Sequence, residues 1–82
     1  MNNSKNQIKK LTVHYFAMFR EHAGLDEETV SSNAATAADL FAELQSRHGS
    51  SEPLGHCKVA INDELVGWDA PLADGDIVLL FP

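Results

Sequence analysis

Nucleophilic, metal-binding and acid–base chemistry each need particular side chains held close together, and this sequence offers few such sets. Its one cysteine, Cys57, stands between His56 and Lys58. Neighbours along a strand point to opposite faces, so adjacency alone does not activate a thiol. A packed, inert thiol is the expectation. The four histidines, His14, His22, His48 and His56, are scattered. Zinc sites pair their ligands at close fixed spacings, and adjacent His56 and Cys57 suit a single tetrahedral ion poorly. No metal site is expected. Carboxylates occur at Asp26-Glu27-Glu28, Asp63-Glu64, Asp69, Asp74 and Asp76. General acid–base work needs two of them in a shielded pocket, whereas these are expected in turns and loops. The last three approach a calcium-loop spacing but lack the remaining ligands of an EF-hand. The five glycines are isolated, so none forms a phosphate-cradling loop. No self-sufficient active site is expected.

The elements that would carry these residues can be read from periodicity. Lys10–Phe19 is rich in Val, Thr, Tyr and Phe and reads as a strand. Its odd positions, Leu11, Val13, Tyr15, Ala17 and Phe19, form the more apolar face and are expected in the core. Its even positions are Thr12, His14, Phe16 and Met18. Gly24 is a turn or helix-stop residue. Glu27–Ser31 is a polar strand suited to a sheet edge. Thr36 is an N-cap candidate with Asp39 three residues on. Ala37, Leu40, Phe41 and Leu44 then make one apolar stripe at helical spacing. Arg47 and His48 suit the negative end of the helix dipole, and Gly49 is the stop. The helix is therefore placed at about residues 36–48. Lys58–Asn62 and Leu65-Val66 read as a hairpin over 58–67, turned by Asn62-Asp63-Glu64. Trp68 is expected to pack over that turn. After the Asp74-Gly75 turn, Ile77–Phe81 is apolar throughout, as a central strand would be.

The chain has 82 residues, and 44% of them are apolar. That describes one globular domain, expected over 10–82 behind a flexible lead-in of residues 1–9. No apolar run approaches the roughly 18 residues that span a bilayer. A single cysteine excludes an internal disulfide and points to the cytoplasm. The net charge is −6. From Leu11 onward three basic residues face twelve acidic ones. Such a surface argues against nucleic acid and anionic membrane as partners. It suits solubility or a basic protein partner.

One helix must cover one face of one sheet. The fold class expected is α+β: a β-grasp, ubiquitin-like mixed sheet of four to five strands with one main helix, its first and last strands side by side in the middle. This leaves too many apolar side chains. Val78 and Leu80 point one way while Ile77, Leu79 and Phe81 point the other. Phe16, Met18, Leu79 and Phe81, joined by Leu65, are expected on the uncovered face. A soluble monomer seldom exposes a contiguous apolar patch above a few hundred Å², so the patch reads as a docking surface for another protein.

Three stretches carry a family resemblance: Val13–Gly24 with its Phe-Ala…Arg-Glu…Gly turn, Val59–Val66 with its Asn-centred hairpin, and Pro71–Pro82 with Pro-Leu-x-Asp-Gly-Asp-x-Val. With the helix they cover about 11–82. The chain resembles the small subunits of molybdopterin synthase, sulfur carriers of the ubiquitin-like β-grasp superfamily. The Asp-Gly-Asp turn also occurs in carriers for thiamin and tRNA thiolation, so those pathways stay open, as does a ubiquitin-like binding module without sulfur chemistry.

The resemblance implies a sulfur carrier with no bound cofactor. A ubiquitin-activating-like adenylyltransferase spends ATP to adenylate a C-terminal Gly-Gly carboxylate, sulfur transfer gives a thiocarboxylate, and the synthase large subunit uses that sulfur to build the dithiolene. It also implies that Phe16, Leu65 and Phe81 contact the large subunit or the activating enzyme, with Pro82 beginning the tail. The sequence departs from the family by ending at Phe81-Pro82, with no glycine after Gly75. The expectation is a glycine-ended tail beyond Pro82, and no residue within 1–82 is assigned as the sulfur carrier.

Overall fold

Strand β1 (Lys9–Tyr15) pairs antiparallel with β2 (Glu27–Ser32) and parallel with β5 (Ile77–Phe81). β5 pairs antiparallel on its other side with β3 (Lys58–Ile61), which carries the short β4 (Glu64–Val66). The order is β2-β1-β5-β3-β4. The most apolar strand thus sits in the centre and the polar one at an edge, where charge deters stray pairing. Helix α2 (Ala37–His48) crosses one face. The computed structural model describes residues 7–82. Most of the expected 1–9 lead-in lies outside them, and Lys9 already belongs to β1.

The core lies between α2 and the sheet. Leu11, Val13, Tyr15, Val30, Val59, Val78 and Leu80 meet Ala37, Leu40, Phe41 and Leu44, and all are buried. Trp68, expected over the hairpin turn, packs instead on Phe41 of α2 with ring centroids 4.9 Å apart.

Both ends of α2 are capped. Thr36 Oγ1 accepts the Asp39 N–H at 3.2 Å. The two preceding amides donate to a different segment: Ala37 N–H to Ala70 C=O and Ala38 N–H to Trp68 C=O. The orphan donors of the first turn are therefore satisfied. At the other end Gly49, at φ 70°, lets its own N–H return to Gln45.

The strand expected over Lys10–Phe19 is corrected. It ends at Tyr15, and Met18–Ala23 forms a short helix, α1, stopped by Gly24 at φ 75°. Phe19 reaches the core as expected, but from α1, where its ring lies 5.7 Å from that of Phe41. Ala17, expected in the core, is exposed. Met18, expected on the uncovered face, is half-buried against the core cluster.

Candidate functional site

The face of the sheet away from α2 carries no covering element among the described residues. Register places its side chains row by row. His14, Leu79, Ala60 and Leu65 lie side by side across four strands, and Phe81 pairs with Lys58. Phe16 follows β1 on the same side, its N–H donating to Leu80 C=O at 3.3 Å. Its ring stands edge-on to Phe81, centroids 6.3 Å apart at 88°. Phe16 is 41% exposed and Leu65 63%, whereas Leu80, the neighbour of Phe81, is 2% exposed. Phe81 itself is half-buried, and Pro82 is exposed. The four residues singled out in the sequence thus share one face or its rim, and Pro82 leaves the sheet beside Phe16 and Phe81. Of the expected apolar set only Met18 is absent. Ile77, at the opposite end of β5, extends the face and is 43% exposed.

This arrangement suits contact rather than covalent chemistry. Aromatic rings packed edge to face and flanked by aliphatic side chains make a preformed anchor that loses little freedom when covered. The only ion pair on this face among the described residues is His14–Glu27, at 3.6 Å and partly exposed.

The remaining candidate residues are structural. Cys57 is buried, and its thiol donates to Pro53 C=O at 3.3 Å. Burial, with Glu52 nearby, pushes its pKa above the ordinary thiol value, away from the thiolate a nucleophile needs. Asp76 accepts from the Asn62 side-chain amide and the Ala73 N–H, at 2.9 and 2.8 Å, and Asp74 accepts from Lys10 N–H at 2.7 Å. These carboxylates close turns. Among the described residues no three His, Cys, Asp or Glu side chains converge on a point where a metal ion would sit.

One cluster escaped the sequence reading. Glu28 lies in β2, within the polar strand expected there, but points toward α2 rather than into solvent. Its Oε2 accepts from Tyr15 Oη and lies 2.6 Å from His48 Nε2. Burial of Glu28 opposes its charge, but the hydrogen bonds from Tyr15 and His48, with Arg47 near, hold its carboxyl below the usual range. Burial and the same carboxylate drive the Tyr15 phenol far above its ordinary value. Of the three only His48 borders a pocket, a small apolar one shared with Phe19, Phe41, Leu44 and Leu80, and the hydrogen bonds tie β1, β2 and α2 together. The available signal was alternation in β2: Val30 and Ser32 face inward, and so must Glu28.

A five-stranded mixed sheet under one helix, with an apolar face beside the departing C-terminal strand, defines a ubiquitin-like β-grasp carrier fold. The ThiS family model matches residues 13–82, and the chain belongs to that family. It is 35% identical over 75 residues to the molybdopterin synthase sulfur carrier subunit of Escherichia coli K12, covering 88% of this chain and 93% of that one. A Pyrococcus furiosus protein assigned as molybdopterin converting factor subunit 1 superimposes with TM-score 0.74 at 36% identity, over 90% of this chain and 97% of the other. Subunit 1 in the Helicobacter pylori complex of molybdopterin-converting factor subunits 1 and 2 superimposes with TM-score 0.62 at 31% identity, over 89% and 92% of the two chains.

Proposed function

We propose that this chain is the sulfur-carrier small subunit of a molybdopterin synthase, itself non-catalytic, and that Phe16, Leu65, Phe81 and Pro82 bind its partners. The apolar face flanking the strand that ends at Phe81 carries this reading. A protein that delivers a reactive group on its tail needs an anchor beside the tail's root, so that one docking event aims the tail. The relatives named above, one of them solved in complex with its subunit 2, supply the partner: a synthase large subunit. The same face serves a ubiquitin-activating-like adenylyltransferase in turn.

The chemistry belongs to a tail following Pro82. Its terminal carboxylate attacks the α-phosphorus of ATP, releasing pyrophosphate and leaving an acyl-adenylate. A sulfur donor displaces AMP to give the thiocarboxylate. In the large subunit that sulfur passes to the molybdopterin precursor and the carboxylate returns. Glycines there let a bare backbone enter a narrow channel. A cytoplasmic setting for this cycle is part of the same proposal, and the free thiol of Cys57 is consistent with a reducing compartment.

The test is titration of the full-length protein against a purified synthase large subunit, with intact mass after incubation with the activating enzyme, ATP and a sulfur donor. A stable complex and the mass gain of one sulfur-for-oxygen exchange are expected. Thiolation without large-subunit binding would move the chain to the thiamin or tRNA branch. Neither event would leave only a ubiquitin-like binding module.

A further inference from the structure

Ala17 holds φ 54° and ψ −126°, a backbone conformation that L residues rarely adopt. The Phe19 N–H donates to the Phe16 C=O at 3.1 Å. Together these define a type II′ turn over Phe16–Phe19 with Ala17 at its first central position, where glycine is the usual occupant. A Cβ there is crowded against the backbone, and such strain persists only where the surroundings impose it. Nothing in the core demands Ala17, whose side chain is exposed.

The turn's effect falls on its neighbours. Both peptide groups of Phe16 are fixed: its N–H by Leu80 C=O on β5, and its C=O by Phe19 N–H across Ala17. The Ala17 C=O then accepts from Arg20 and Glu21 and starts α1, which carries Met18 and Phe19 off the open face and onto the core. An extended residue at 17 would release the Phe16 carbonyl and run β1 onward. We infer that Ala17 is a positioning residue for partner docking, its left-handed turn holding Phe16 edge-on to Phe81.

This inference rests on the docking role proposed for that face, and its test separates the two. In the full-length protein, Ala17→Gly removes the crowding but permits the turn, whereas the β-branched Ala17→Val forbids it. The glycine protein should melt about 4 °C higher, because relieved strain outweighs the added freedom of the unfolded chain. It should keep the nuclear Overhauser contact between the Phe16 and Phe81 rings and bind a purified large subunit within about twofold of wild type. The valine protein, measured where it is fully folded, should lose that ring contact and bind about tenfold more weakly. A folded valine protein with ring contact and affinity intact overturns the inference, as does a glycine protein that melts lower. Should the valine protein not fold, the glycine comparison decides. A Phe16→Ala protein binding like wild type would sink the docking role instead, leaving ring contact and melting to judge the turn.

Discussion

Glu28 shows how much one buried carboxylate does in a chain without staples. Its side chain is 17% exposed, as is that of His48. Replacing it by glutamine keeps the volume but removes the charge that both partners donate to. Hydrogen bonds to a charged group contribute about 2 kcal/mol net, so Glu28→Gln should destabilise the fold by about that much at neutral pH, read by thermal or urea unfolding. The sign with pH follows from its lowered pKa. The contribution is fully present above the ordinary glutamate value of 4.5 and is lost as pH falls through the depressed folded value. Wild type should therefore lose more stability than Glu28→Gln between about pH 5 and pH 3. Equal acid sensitivity would show that the carboxylate is not ionised in the fold. The triad was hidden in the sequence because its members lie 13 and 20 residues from Glu28. Their meeting depends on where α2 crosses β2, which no local pattern records. Ala17 was hidden for another reason: alanine carries no mark of a left-handed backbone, so alternation ran on through it and misplaced Met18.

The elements themselves were far more legible. The stripe Ala37, Leu40, Phe41, Leu44 has the helical period, and the cap and stop residues Thr36 and Gly49 do what their types allow. The β3–β4 turn places Asn62 and Asp63 at φ 52° and 72°, the left-handed conformations that Asn and Asp tolerate best. Asn62 also accepts the Ile77 N–H at 3.0 Å and donates to Asp76, joining that turn to the start of β5. Such ties between turns were not legible, because each half reads as an ordinary loop. The same holds at the start of α2, where Trp68 and Ala70 carbonyls take two of its amides. Thr36→Ala removes only the third bond, so the helix start keeps most of its partners. The expected cost is about 1 kcal/mol, measured as a shift in the urea midpoint without change of slope. A loss of several kcal/mol would mean that Thr36 also holds the 67–72 loop in place, through its bridge to Pro71.

At the scale of the molecule, one sheet serves two purposes because a strand has two faces. The whole of β5 is apolar, and alternation divided it correctly: Val78 and Leu80 beneath α2, Ile77, Leu79 and Phe81 on the open side. That division makes a sharp experiment of two adjacent residues. Leu80 is 2% exposed beneath α2. Its truncation to alanine should cost about 2–5 kcal/mol by leaving a cavity, and any loss of binding should follow from unfolding. Phe81, half-buried, stands edge-on to Phe16 on the open face. Phe81→Asp should melt close to wild type, since the carboxylate reaches water and Lys58 stands opposite. Placed at the centre of an apolar anchor, however, that charge is buried unpaired when a partner covers it, and binding to the large subunit should weaken by at least about thirtyfold. Calorimetric titration with parallel melting curves measures both halves. If Phe81→Asp melts as low as Leu80→Ala, Phe81 belongs to the core and the open face loses its claim to a partner. If both variants melt as expected but Phe81→Asp still binds, the partner grips the molecule elsewhere, and the excess apolar area on this side of the sheet is left without a use.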